Sequence, residues 1–145
     1  MLLRLLQGIA LLGLTVAIHT AVLGAMFVSF QKHIQIQLPI GFIANSWLLT
    51  RIAAITVLAH LVEICIWAGF YYWKEALPDI ETSLYFSSVT YATIGYGDIV
   101  LSQPWRMHAA MEGLTGILMC GWSGAFFFAV VHRLTAHKQA DPAKD

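Results

Sequence analysis

Residues 5–30 carry no formal charge. At about 1.5 Å per residue that run makes roughly 39 Å of helix, more than the ~30 Å hydrocarbon core of a bilayer. Two further runs share its character. One covers residues 48–73, broken by Arg51 near its start and by His60 and Glu63 inside it. The other covers residues 107–131, with Glu112 its only formal charge. Composition shows why water is the wrong solvent for such a chain. Of 145 residues, 59% are hydrophobic and 11% charged, against roughly 45–50% and 25% in soluble domains. A soluble enzyme and a disordered chain are both excluded. Cys65 and Cys120 each lie in an apolar run, so neither a disulfide framework nor a zinc knuckle is expected. Eight Lys+Arg balance eight Asp+Glu, which removes the basic surface that nucleic acid needs. The first run, with Arg4 before it, is about twice the length of a signal-peptide core and reads as a span. The expectation is one small all-α, multi-pass protein of the lipid bilayer.

The stretch between the second and third runs is different. Pro78-Asp79 marks a helix start, with Asp79 and Glu81 near the positive N-terminal end. A helix over residues 80–92 would be only about 18–20 Å long. It cannot cross. Glycine-rich Thr93-Ile94-Gly95-Tyr96-Gly97-Asp98 and a polar stretch up to Pro104 follow it. A short helix that enters and a strand that returns make a re-entrant loop, tolerated at membrane depth only where it lines a cavity or is buried in protein.

Residues 90–98 have the form T-x-x-T-x-G-Y-G-D, which resembles the selectivity filter of tetrameric potassium channels. The resemblance covers roughly residues 48–131 and implies an outer helix (48–73), a pore helix (80–92), a filter (93–98) and an inner helix (105–133). It implies K+ ions held by main-chain carbonyls of Thr93, Ile94, Gly95, Tyr96 and Gly97, a mechanism established for that family. No organic cofactor is implied. To aim successive carbonyls at one axis, alternate residues must take backbone angles that favour glycine, which accounts for Gly95 and Gly97. Thr93 adds a hydroxyl ring, and Tyr96 points away from the axis. Asp98 sits at the mouth and braces the loop, with Thr90, Tyr85 and Phe86 as further support. Val89 stands where some members carry an acid, and Ala92 replaces a common threonine. One filter segment per chain implies a homotetramer. Alternatives are a weakly selective cation channel and a non-conducting accessory subunit of another channel.

Residues 1–31 form a helix beyond the minimal pore, residues 32–47 a cytoplasmic linker and residues 134–145 a short cytoplasmic tail. No arginine-repeat voltage sensor and no soluble ligand-binding domain are expected. Lys32, Arg51, Arg133, Lys138 and Lys144 on one side outnumber Arg4, Lys74 and Arg106 on the other. The C-terminus is therefore expected in the cytoplasm and the N-terminus outside the cell membrane. Trp67, Tyr71, Tyr72, Trp73 and Trp105 suit the interfaces at the ends of the spans.

Several residues keep two readings. Gly116 and Gly124 serve either as hinges or as close-packing sites. Phe126 is a candidate constriction, or else a lipid or interhelical contact. His60 and Glu63 share a helical face at i, i+3. Counted from the outer ends, His19, His60, Glu63 and Glu112 lie roughly 21, 20, 15 and 8 Å deep. A polar network linking the three spans is geometrically possible. It can act as a hydrogen-bonded staple, a proton-sensitive gate or a metal site.

Overall fold

A computed structural model describes residues 2–35 and 42–140. Helix α1 spans Leu2–Gln35, α2 Phe42–Trp73, α3 Ile80–Tyr91 and α4 Arg106–Ala140, with a 3-10 turn over Gln103–Trp105 leading into α4. Among the described residues there is no strand. Three helices are long and apolar enough to cross a membrane, and α3 is the short element between the second and the third. The architecture is the all-α membrane fold expected from the sequence.

Helix ends overrun the apolar runs. Helix α1 continues through Gln35 and α2 starts at Phe42, so most of the expected linker 32–47 is helical. The remainder, residues 36–41, lies outside the described residues, as does the part of the tail beyond 140. The reason for the overrun is local: no helix breaker stands just past the apolar runs. Pro39 and Gly41 fall between α1 and α2, and no proline or glycine follows Gly124 until Pro142. Helix α3 ends at Tyr91, with Ala92 as its cap. Its start is built as the sequence predicts. Asp79 accepts the Thr82 backbone N–H at 2.7 Å and the Thr82 hydroxyl at 2.9 Å. Those donors hold its carboxyl below the usual range, the backbone N–H first.

Helix α1 runs parallel to α4. Arg4 lies 5.3 Å over the Trp105 ring, and Gly8 sits beside Met111 and His108. At the far end Met26 and Phe30 of α1 join Ile52, Val130 and Leu134 in one apolar cluster. The N-terminus of α1 therefore lies at the same end of the molecule as the start of α4. A larger cluster wraps α3: Trp67, Phe70 and Tyr71 of α2 and Met119 of α4 enclose Phe86 and Tyr91. Many large apolar side chains of the spans, such as Ile9, Leu58, Ile117 and Phe128, face outward from the single chain. That is the pattern of surfaces meant for lipid or for other copies.

Candidate functional site

The last turn of α3 launches residues 93–98. Thr93 N–H donates to the Thr90 carbonyl at 3.0 Å, and Ile94 and Gly95 N–H both donate to the Val89 carbonyl, at 2.9 and 3.2 Å. The backbone then reverses hand at every second residue. Thr93, Gly95 and Gly97 have φ of +58°, +55° and +78°. Two of these are the glycines the sequence points to. Thr93 is not: a β-branched residue in the left-handed region is an outlier, and such strain concentrates at functional sites. Only the regular spacing from Gly95 and Gly97 back to position 93 could have signalled it.

Tyr85 and Asp98, both expected as support, are brought together. The Tyr85 hydroxyl donates to Asp98 Oδ2 at 2.6 Å, while Oδ1 accepts the Ile99 N–H at 3.1 Å. The phenol holds the Asp98 carboxyl below its ordinary range, and Asp98 in turn pushes the Tyr85 hydroxyl up. Phe86 packs edge-on against Tyr71 at 5.4 Å, behind the pore helix. Ile94 and Tyr96 are 53% and 69% exposed in the single chain. Their cover, if any, comes from outside it.

Deeper in the membrane, His19, His60 and Glu63 do converge, but not as the spacing on α2 suggests. The direct partner of Glu63 is His19 of α1, with Nδ1 2.8 Å from Oε1 and both side chains fully buried. His60, one turn away, stands 3.9 Å from Glu63 Oε2. It reaches the Tyr91 hydroxyl instead, at 3.0 Å. Tyr91 donates to Glu63 Oε2. Ser123 of α4 bridges the two imidazoles, its Oγ 3.0 Å from His19 Nε2 and 3.2 Å from His60 Nε2. Tyr91 and Ser123 were not among the expected members. Hydroxyls in apolar helices were the available signal, since each needs a partner. One ligand atom from each of His19, His60 and Glu63 lies within 4.8 Å of the other two, and the three are of the types that can hold a metal ion.

Glu112 is not part of this group. It accepts the Tyr71 hydroxyl at 2.8 Å, and its other oxygen is hydrogen-bonded with Ser87 Oγ, nearer the start of α4. Its position about three turns before Ser123 on α4 separates the two layers. The remaining candidates also resolve into contacts. Gly116 faces the end of the pore helix so closely that a Cβ there would lie 1.9 Å from the Tyr91 carbonyl oxygen. Gly124 has open space around it. Phe126 packs against the apolar cluster shared by α1, α2 and α4, while Phe128 faces outward.

The family profile described as "Ion channel" matches residues 59–133, more than half of the chain. The chain belongs to this ion channel family. The matched span includes the second half of α2 from residue 59 on, the whole of α3, residues 93–98 and the larger part of α4, and it leaves α1 outside. No curated protein and no solved structure matches the chain. With three helices able to span a bilayer, the protein is a multi-pass, membrane-embedded oligomeric channel.

Proposed function

We propose that the protein is a potassium-selective channel subunit, active as a homotetramer, that passes K+ passively across the cell membrane. The observation that carries this reading is the alternation of hand at Thr93, Gly95 and Gly97 within T-x-x-T-x-G-Y-G-D. Alternating left- and right-handed residues turn successive carbonyls toward one side of the strand, whereas an ordinary β-strand alternates them. Four such strands about one axis make stacked oxygen rings from Thr93, Ile94, Gly95, Tyr96 and Gly97 that replace the water around a dehydrated cation. Closed four-fold symmetry supplies the strands. The negative C-terminal ends of four α3 helices favour a cation in the cavity beneath.

In this arrangement Asp98 rings the outer mouth and Tyr96 is covered by the assembly. The N-terminus lies outside and the C-terminus in the cytoplasm. The pore domain is 48–133, and α1 is an addition to it. Gly124, where an added Cβ would meet nothing within 4 Å, is the better placed glycine for bending α4. The test is a reversal-potential measurement on purified, reconstituted protein under opposed K+ and Na+ gradients. Potassium permeability well above sodium is expected, with four chains by native mass. Equal permeabilities would make it a weakly selective cation pore. A chain that yields no current alone would be an accessory subunit.

A further inference from the structure

The polar group at the centre of the molecule closes on itself. Glu63 Oε1 meets His19 Nδ1, His19 Nε2 meets Ser123, Ser123 meets His60 Nε2, His60 Nδ1 meets Tyr91, and Tyr91 returns to Glu63 Oε2. The ring takes a side chain from every helix: His19 from α1, His60 and Glu63 from α2, Tyr91 from α3 and Ser123 from α4. A hydrogen count follows from its chemistry. Each of the five contacts needs one hydrogen between its two heavy atoms. Neutral His19, neutral His60, Tyr91 and Ser123 bring one each, and an ionised Glu63 brings none. The ring is one hydrogen short.

We propose that this ring is an intramembrane proton-binding site that takes up one proton per chain and so fastens α1 to the base of the pore helix. With the proton on either imidazole, or on Glu63, every contact has a donor and an acceptor and the ring is neutral. Without it, one contact sets two acceptors face to face and a net negative charge stands in a buried layer. Glu63 is fully buried, and its partners among the described residues that can carry a positive charge are the two histidines, with the Tyr91 phenol its remaining titratable partner. Of the other titratable groups, Cys120 of α4 lies in the field of Glu63, and Glu112 of α4 adds to the field at Tyr91. Neither offers a fixed cation. Because the ring shares its hydrogens, the proton belongs to the group rather than to one residue.

The site bears on conduction through Tyr91. Its side chain is in the ring, its carbonyl rests against Gly116, and Thr93 lies two residues further on. Losing the proton keeps the Tyr91 donation to Glu63 but leaves one contact unmade along the His19–Ser123–His60–Tyr91 side of the ring, next to where residues 93–98 begin. In an unfolded chain above about pH 7 both histidines are mostly neutral and Glu63 is ionised, so that chain holds no equivalent proton. Stability is therefore lost as pH rises through the release from the folded ring. The proposal rests on membership of the channel family and not on which ion is conducted.

Glu63→Gln gives the decisive test. The amide N–H donates to His19 Nδ1 and the amide oxygen accepts from Tyr91, so this ring closes with neutral groups alone. Melting of the full-length protein in detergent is followed from about pH 6 to 10. The wild type is expected to lose melting temperature at the alkaline end, with ionic current falling over the same range. Glu63→Gln should keep the neutral-pH melting temperature and show no alkaline loss. Ser123→Ala, which breaks two contacts, should melt lower at every pH. A wild type indifferent to pH, or a Glu63→Gln protein with the wild-type slope, would overturn the proposal. Should that variant fail to fold, histidine 15N resonances of the wild type decide. His19 and His60 must change together at one midpoint, and separate midpoints or no change refute a shared proton.

Discussion

The Cα of Gly116 in α4 faces the backbone of Tyr91 in α3, where an added Cβ would come within 1.9 Å of the carbonyl oxygen and 2.8 Å of the carbonyl carbon. Neither atom can swing aside as a side chain can. The obstacle is the backbone at the end of the pore helix, which carries residues 93–98. Gly116→Ala therefore forces α3 and α4 apart. Overpacking of this kind costs about 1–3 kcal/mol or more. A fall in oligomer melting temperature is expected together with loss of current. Gly124→Ala, with open space around the glycine, should leave the melting temperature close to wild type. Equal effects of the two substitutions would show that Gly116 does not act through this contact.

At the mouth, the Tyr85 hydroxyl lowers the acidity range of Asp98, so its carboxylate persists to lower pH than an ordinary aspartate. Whatever the ionised Asp98 contributes to loop order is present above the ordinary carboxylate range and lost as pH falls through the lowered value. Tyr85→Phe removes the donor. Acidification on the Asp98 side should then suppress current at a higher pH than in wild type. Titration of current against pH on that side checks it, and an unmoved or lowered midpoint would contradict the role given to Tyr85.

Gly97 has φ of +78°, a backbone conformation that costs a side-chain-bearing residue free energy at a point with no slack. Gly97→Ala is expected to abolish conduction while leaving α1, α2 and α4 assembled, since nothing in the chain lies within 4 Å of the position where that Cβ would go. Flux assays paired with size measurement separate the two effects. A conducting Gly97→Ala channel would remove the backbone argument for the filter.

The three spans, the short α3 and the segment after it were legible because charge is scarce and the glycine spacing is regular. Helix ends were less so. They run past the last apolar residue because no proline or glycine stands at residues 31–35, 42–47 or 132–140. The partner of Glu63 was not legible, for a physical reason. The i, i+3 neighbour His60 shares its face, yet a side chain from another helix can approach the carboxylate along its lone pairs, and His19 does so. Depth arithmetic carried part of the answer. It set His19 and His60 at nearly the same level, where their rings now stand 5.0 Å apart. It also set Glu112 in a different layer. What sequence distance cannot supply is which hydroxyls from α3 and α4 reach that level.

Glu112 poses a hydrogen count of its own. It receives the Tyr71 hydroxyl at 2.8 Å, and its other oxygen faces Ser87 Oγ. Ser87 Oγ also lies 2.9 Å from the Ile64 carbonyl. The single Ser87 hydrogen cannot serve the carbonyl and an ionised carboxylate at once. A protonated Glu112 resolves this by donating to Ser87 Oγ, which frees the serine hydrogen for Ile64, while Tyr71 keeps its acceptor. Glu112→Gln reproduces that pattern, its amide N–H toward Ser87 and its oxygen toward Tyr71. It is expected to assemble and to melt close to wild type. Glu112→Leu strands the Tyr71 hydroxyl and removes the donor to Ser87 Oγ, whose own hydrogen still reaches the Ile64 carbonyl, at about 1–3 kcal/mol for each polar group left unpaired. It should melt clearly lower, and adding Tyr71→Phe, which deletes one stranded hydroxyl, should restore part of the loss. Thermal melts of the four proteins decide. Were Glu112→Gln as damaging as Glu112→Leu, the carboxylate would be needed in its charged form, and the neutral hydrogen pattern among Tyr71, Ser87 and Ile64 would be wrong.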